Sequence, residues 1–482
     1  SCSFGEMGKY SGGCECELAG APLKYEGLQP WEVLVSEAQE RMTLAVQPEQ
    51  RAAFEALAKK RDVEVSFMGT YNDSGYFTVK QDGKIIASLD MDFLYEKGCP
   101  TLVMPGVWNK PSIPAPVVEA KVDYSDTLVE LMGDLNLCSR EYKSRIYDGE
   151  VKGLSVVKNY VGVNSDVPSD ATVMRVEYGN GRGAVLAEGI NPWYSDIDTY
   201  DMTTSVIDEA VRRVIAVGGD LSRIAILDNF CWPDPVESEK TPDGAYKMAQ
   251  LVRANKALYD LTTLYKTPAV SGKDSCKNDS TRGGKKISIP PTLLVSSIGQ
   301  IDDVAKAVTM PLKDAGDFIY VIGETKDELG ASAYYRKLAE EQGVPENYGG
   351  TVPAVDGETA LKIYAAMNKA TDAGLLKSAT TPSKGGLAVS LALTAIGGQL
   401  GANVDLSGLG LDAATALFSE SNSRFIVSVA PEKAAEFEAL FAGLPVAQIG
   451  QVVVEKKLVV KGSVEVELDA LVKPFKETLH GV

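Results

Sequence analysis

The sequence predicts an α/β architecture of α+β domains in which one module occurs twice. Three observations carry this. At 482 residues the chain is too long for one ordinary domain. Two segments, SEAQERMTLAVQPEQRAAFEAL (36–57) and SESNSRFIVSVAPEKAAEFEAL (419–440), align without a gap, which repeated modules explain. Between them, from about 119 to 309, strand-like and helix-like stretches alternate.

Each element follows from local pattern. In both copies a β-rich run (MTLAV, FIVSV) passes through Pro-Glu into a helix (FEALAKK, FEALFAG) and then a strand ending in Gly (VSFMG, AQIG). Ser36, Glu37, Arg41, Pro48, Glu49 and Phe54 recur as Ser419, Glu420, Arg424, Pro431, Glu432 and Phe437. In the middle segment, RVEYGNGRGAVLAEG reads as a hairpin turning at Asn180-Gly181. Apolar residues at 206, 207, 210, 211, 214 and 215 mark a helix over 204–217, stopped by Gly218-Gly219. SRIAILDNF is a short buried strand ending at Asp228, and 248–265 is a long amphipathic helix. The second module begins near Met310 with FIYVIG and includes the apolar helix GGLAVSLALTAIGG. The offset of 383 positions puts the start of the first module before residue 1, with roughly seventy residues of it outside this chain.

Composition narrows the function. Net charge is −18, which argues against nucleic-acid binding because that needs a basic footprint. The longest apolar run, 387–396, is too short for a bilayer, and SCSFGEMGKY lacks the features of a signal peptide. Seven cysteines form no disulfide framework, and Cys14 and Cys16, a C-x-C without further ligands, read as reduced thiols of a cytoplasmic protein. The one histidine, His480, lies near the end, a poor place to hold a catalytic base. Chemistry here falls to carboxylates, cations, metals and backbone dipoles.

Two constellations fit that requirement. Ser271-Gly272-Lys273-Asp274-Ser275 reads as a small cationic turn after a short strand, able to wrap a phosphate with N–H groups and an ammonium, or as a plain polar turn. Asp228, at the expected strand end beside it, is placed to hold Mg²⁺ on a nucleotide or to start an Asx turn. In the repeat, Gln39 becomes Asn422 and Glu40 becomes Ser423, as expected if one copy reads a ligand while the other serves the fold.

LQPWEVLVSEAQERMTLAV, AILDNFCWPDP, AVSGKDSCKND and GGLAVSLALTAIGG followed by LFSESNSRFIVSV together resemble, in order along the chain, the FGAM synthase (formylglycinamide ribonucleotide amidotransferase) family of the AIR synthetase-like superfamily. The resemblance implies that 1–118 is the C-terminal part of a first C-type domain, 119–309 a second N-type domain and 310–482 a second C-type domain. It implies a ligase that forms C–N bonds with glutamine as amide donor: FGAR, ATP and ammonia give FGAM, ADP and phosphate. Phosphorylation turns the amide oxygen into a leaving group that ammonia displaces, and positioning, Mg²⁺ and complementary charge do most of the work. It implies a cytoplasmic enzyme whose partners are the absent N-terminal half and a glutaminase, and an isolated chain that is inactive and pairs as a homodimer across a bare sheet edge.

By the same resemblance Glu37, Ala38, Gln39 and Ser275 contact substrate, with Ala38 replacing the family's Ser. Asp228 and Gly272 contact ATP, and Lys273 stands where many relatives have an Mg²⁺-binding Asn, so that it meets phosphate directly. No catalytic residue is assigned within the chain. Asp170 and Glu209 match the acids of an auxiliary Mg²⁺-nucleotide site. Arg213 replaces that site's Asn, and Thr380-Thr381-Pro382-Ser383-Lys384-Gly385-Gly386 replaces His-Asp-x-Ser-Asp-Gly-Gly. The expectation is a site that has lost its Mg²⁺: either Arg213 and Lys384 take the metal positions and pair with Asp170 and Glu209, or they bind phosphate. The other reading of the whole chain is a non-catalytic half that scaffolds the catalytic half and the glutaminase.

Overall fold

The computed structural model describes residues 2–36, 41–98, 100, 102–146 and 149–480. The chain divides into two compact units, Ser1–Val103 and Met104–Val482.

Unit 1 contains α1 (Cys2–Ser11), β1 (Cys14–Glu17), α2 (Pro30–Val35), α3 (Arg51–Lys60), β2 (Gly69–Tyr71), β3 (Tyr76–Gln81) and β4 (Lys84–Asp90). Its strands run in the order β2-β1-β3-β4. The small core is Cys14, Cys16, Leu18, Phe77, Val79 and Met91. Burial pushes the Cys14 thiol up to about 11, so these cysteines act as small hydrophobes.

Unit 2 holds two large sheets. The first comprises β5 (Ser155–Val157), β8 (Thr172–Arg175), β9 (Gly183–Ile190), β10 (Ala225–Cys231), β11 (Ala269–Ser275) and β14 (Thr292–Ile301), in the order β11-β10-β14-β9-β8-β5. Between its strands fall the ribbons β6 (Tyr160–Val161) with β7 (Val167–Pro168), and β12 (Asp279–Arg282) with β13 (Lys285–Ser288). The second sheet comprises β15 (Phe318–Ile322), β16 (Leu376–Thr380), β17 (Gly401–Val404), β18 (Phe425–Val429), β19 (Val446–Val453), β20 (Lys457–Val460) and β21 (Val464–Glu467), in the order β16-β18-β15-β19-β17-β20-β21. The helices are α4 (Ser125–Met132), α5 (Glu141–Ile146), α6 (Thr199–Ala216), α7 (Gly244–Tyr265), α8 (Ala333–Glu341), α9 (Gly357–Asp372), α10 (Gly386–Gly398), α11 (Ala413–Phe418), α12 (Ala434–Leu440) and α13 (Leu468–Glu477). Among the described residues no helix is long and apolar enough to cross a membrane.

Strand alternation sorts the second sheet's side chains between two cores. Tyr320, Ile322, Phe425, Val427 and Val429 face one core, shared with α6, α9 and the first sheet. Ile319, Val321 and Ile426 face the other, filled by α10 and its neighbours. Helix α6 is therefore packed on both sides. Its start is set by Asp198, whose carboxylate accepts from Tyr200 N. It lies so close to the first sheet that a Cβ on Gly189 would sit 2.1 Å from Val206 O.

Unit 1 repeats half of the second sheet. β1 pairs β2 antiparallel and β3 parallel, and β3 pairs β4 antiparallel. β17 pairs β19 antiparallel and β20 parallel, and β20 pairs β21 antiparallel. The order β2-β1-β3-β4 is thus the order β19-β17-β20-β21.

Several local expectations need correction. The run 42–46, expected as a strand, carries no strand assignment. Its counterpart β18 is held between β15 and β16, whereas the run 42–46 joins no ladder among the described residues. Met42 and Leu44 are 80% and 59% exposed, whereas Phe425 and Val427 are fully buried. The strand expected over 65–69 begins only at Gly69, and β19 continues past Gly450 to Val453. The β8–β9 hairpin turns at Gly179 (φ +78°) rather than at Asn180-Gly181, and the Asn180 side chain instead caps Arg182 N. The stretch 271–275 is not a turn but part of edge strand β11, paired parallel to β10. Asp228 lies in mid-strand, opposite Val295 on one side and Gly272 on the other.

Candidate functional site

The first candidate site is the β10–β11 edge. Register sets Asp228 beside Gly272 and Cys231 beside Ser275. A Cβ on Gly272 would stand 2.5 Å from Asp228 Oδ1, so only glycine lets the carboxylate lie over this backbone. Asp228 Oδ1 is buried with no hydrogen-bond partner among the described residues. Desolvation and the nearby Asp274 push its carboxyl up, opposed by the Lys273 N–H. Among the described residues Lys273 Nζ makes two long contacts, 3.4 Å to Phe230 O and 3.7 Å to Cys231 Sγ, and no ion pair. A carboxylate oxygen without a partner there, a close glycine backbone and this ammonium fit a nucleotide phosphate with its cation. Glu37, Ala38 and Gln39 lie outside the described residues.

The second candidate site joins α6 to the loop after β16. Thr381 donates to Asp170 Oδ1 from both N (2.9 Å) and Oγ1 (2.8 Å). Arg213 Nη2 lies 2.7 Å from Glu209 Oε1, and its Nη1 donates to Glu188 O. Desolvation works to raise the Glu209 carboxyl, but Arg213, Arg212 and Lys384 outweigh it and hold it low. Burial lowers the Lys384 ammonium despite Glu209, and burial raises Asp170 despite Thr381 and Arg213. All six residues singled out from the sequence, Asp170, Glu209, Arg213, Thr381, Ser383 and Lys384, belong to this neighbourhood. The cavity beside Glu209, Ser383 and Lys384 measures about 10 Å³, the lower limit for one water molecule. Among the described residues no group of three or more His, Cys, Asp or Glu side chains is arranged to hold a metal.

Residues that sequence reasoning missed complete this region. Asp208, fully buried, accepts from Arg212 Nη1 (2.6 Å), Tyr265 Oη (2.7 Å), Tyr364 Oη, Ser423 N (2.9 Å) and Ser423 Oγ (3.0 Å). Glu420, the repeat partner of Glu37, accepts from Tyr194 Oη (2.5 Å), Ala333 N (2.9 Å) and Gly385 N (2.8 Å). Asn422, the partner of Gln39, is held by Arg212 and Ser205. Arg424 donates to the carbonyls of Ser419 and Ser421. In the second copy this loop is bound by protein groups throughout. One signal was present in the sequence: Asp208 and Arg212, an i,i+4 pair, sit among the apolar positions of α6.

The family model described as "AIR synthase related protein, C-terminal domain" matches residues 2–82 and 314–463. These two stretches are thus similar to AIR synthase-related C-terminal domains. Along nearly its whole length the chain is similar to phosphoribosylformylglycinamidine synthase subunits, PurL. The PurL subunit of Methanocaldococcus jannaschii is 29% identical over 472 residues, 96% of this chain and 61% of the relative. That of Rhodopseudomonas palustris is 30% identical over 477 residues, 98% of this chain and 61% of the relative. The chain thus spans less than two thirds of the length of these relatives. Among solved structures, Thermotoga maritima PurL complexed with ATP matches at 19% identity and TM-score 0.48, covering 94% of this chain and 61% of that one. The same protein complexed with FGAR matches at 19% identity and TM-score 0.49, covering 93% and 59%.

Proposed function

We propose that this chain supplies part of an FGAM synthase, a cytoplasmic ATP- and Mg²⁺-dependent ligase that amidates FGAR with glutamine-derived ammonia. The observation that carries this reading is the Asp228–Gly272 cradle in a chain aligned along 98% of its length with a PurL subunit. In this reading Asp228 holds the cation of the nucleotide, Gly272 lets its phosphates approach the backbone, Lys273 meets phosphate charge and Ser275 contacts substrate; Glu37, Ala38 and Gln39, carried over as substrate contacts, lie outside the described residues. Residues 1–118, 119–309 and 310–482 are then the end of a first C-type domain, an N-type domain and a second C-type domain. The first large sheet, drawn from 155–301, and the second, from 318–467, support the last two.

The auxiliary site is, in this reading, one that has exchanged Mg²⁺ for cationic side chains. Pairing of Arg213 with Glu209 favours that over phosphate binding. Partners are a polypeptide carrying the rest of the synthetase and a glutaminase. Alone, the chain pairs through exposed β11, where Val270 is 54% exposed. The alternative, a scaffolding half without ligands, is favoured by the protein-filled second-copy loop.

The test is ADP production with FGAR, Mg-ATP and high ammonium, with and without a polypeptide supplying the N-terminal part of the synthetase. The reading expects turnover only in the mixture, abolished by Asp228→Asn. A mixture as active with Asp228→Asn as without it overturns the role of the cradle.

A further inference from the structure

We infer that the β12–β13 hairpin carries an anion site at its tip, formed by Arg282 and Lys285, that takes a phosphate group. The register pairs Asp279 with Ser288, Ser280 with Ile287, Thr281 with Lys286 and Arg282 with Lys285. Directly paired residues share a face. One face is anchored to the body of the unit. Lys286 Nζ donates to Thr241 Oγ1 (2.5 Å) and lies 3.5 Å from Asp279 Oδ2. Lys247 Nζ donates to Ser288 Oγ (3.1 Å), and Asp279 accepts from Asp234 N (3.0 Å). The other face, Ser280, Arg282, Lys285 and Ile287, is exposed.

The turn joining the strands is Gly283-Gly284, with φ of +55° and +77°. Two consecutive left-handed residues make the tight two-residue hairpin turn. It forces Arg282 and Lys285 directly opposite each other, where like charges destabilise a strand pair. Neither makes an ion pair among the described residues. Their neighbours Lys277 and Lys286 both do, with Asp234. On a chain of net charge −18, two cations are thus held side by side without a protein carboxylate. A phosphate spanning them removes the repulsion.

The hairpin is also fixed relative to the candidate nucleotide edge. Asn278 Nδ2 donates to Ser275 O (2.9 Å) and to Trp232 O (3.3 Å), and Asn278 N donates to Trp232 O (3.0 Å). From Asp279 to Arg282 the strand reaches about 10 Å. The site therefore stands one strand length beyond the base of the hairpin at Ser275. Which phosphate it takes, that of the nucleotide or the phosphomonoester of FGAR, rests on the reading above; the anion site itself does not.

The test titrates the chain with inorganic phosphate, followed by ³¹P NMR line width, and with ATP and FGAR by calorimetry. The Arg282→Ser/Lys285→Ser variant is expected to lose at least tenfold in phosphate affinity. Its unfolding midpoint stays unchanged or rises, because both side chains are exposed. Arg282→Lys retains most of the affinity. Loss confined to FGAR assigns the substrate phosphomonoester, and loss confined to ATP assigns the nucleotide. Phosphate binding that depends on the pair, in a chain that binds neither FGAR nor ATP even when mixed with the polypeptide supplying the rest of the synthetase, supports the anion site and overturns the enzyme reading. Equal phosphate affinity in the wild type and the double variant overturns the inference.

Discussion

Replacing Asp208 with alanine tests whether the junction between α6 and the second-copy loop holds unit 2 together. Asp208 and Arg212 are 0% and 1% exposed. Among the described residues, removing the carboxylate leaves Arg212 with Asn422 Oδ1 and Pro382 O as hydrogen-bond partners and Glu209 as the remaining nearby charge, and its Nε already has no partner. It also strands the backbone N–H of Ser423 and takes the carboxylate from Tyr265 Oη and Tyr364 Oη, which keep each other and Ser423 as neighbours. Breaking one side of a buried ion pair costs about 3–5 kcal/mol. Each stranded donor adds roughly 1–3 kcal/mol where water cannot reach it, and water entering the cavity offsets part of that. The expected loss is about 4 kcal/mol, roughly a thousandfold in the unfolding equilibrium. The assay is guanidinium unfolding followed by the fluorescence of Trp232, fully buried in unit 2. Asp208→Leu combined with Arg212→Met is expected to cost less than the sum of the two single changes, because no charge is left unpaired. A loss under about 1 kcal/mol for Asp208→Ala, within the usual range of surface changes up to a few tenths beyond it, or strict additivity in the double variant, would refute the reasoning.

Further expectations follow from the same geometry. Gly272→Ala should leave the exposed edge strand folded but displace Asp228, lowering ATP affinity at least tenfold in a fluorescence titration; unchanged affinity rules out the cradle. Burial, with Asp198 nearby, raises the Asp201 carboxyl to about 6, above its unfolded value of about 3.9. Its charged form therefore costs stability above pH 6, and that cost is relieved as pH falls from 6 toward 4. Asp201→Asn should be more stable than wild type by about 1 kcal/mol at pH 7, after discounting for partial solvation, and the gap should close by pH 4; a gap independent of pH contradicts this. Lys384→Met should be neutral or stabilising in thermal unfolding, whereas Glu209→Gln should cost about 3 kcal/mol by stranding Arg213; the reverse order overturns the assigned pairing. Mg²⁺ or EDTA should not move the unfolding of unit 2, and a Mg²⁺-dependent rise abolished by Asp170→Asn would place a metal in the second site.

Where residues 3.6 or 2 apart set the pattern, the fold was legible. The α6 stripe of Val206, Ile207, Ala210, Val211, Val214 and Ile215 is core, as expected. The helix begins at Thr199 rather than at the expected 204, because the Asp198 cap and tertiary burial of Thr199 and Thr203 override polarity. Ser271–Ser275 looked like a turn because Gly, Ser and Asp favour one. Its strand state comes from β10, whose free edge supplies a ladder that propensity cannot foresee. The Asp170–Thr381 and Glu209–Arg213 contacts were accessible through the family pattern. The Asp208 network was not: its hydroxyl donors come from α7, α9 and the loop before β18, up to 215 positions away, and each tyrosine alone is an ordinary core residue. Only a charge pair on an apolar helical stripe pointed to it.

The two copies of one motif also form an internal experiment on context. MTLAV and FIVSV carry comparable β-propensity, yet only the second lies in a ladder. In hydrogen exchange, amides of residues 425–429 should exchange only with global opening of their sheet, and those of 42–46 at close to solvent rates. The ratio of the two is a ruler carried inside every molecule, in which protein concentration and most of the intrinsic chemical rate of exchange cancel. On the proposed reading, a polypeptide that supplies the flanking strands slows the first copy and leaves the second untouched, so that such a partner is recognised before any turnover is measured.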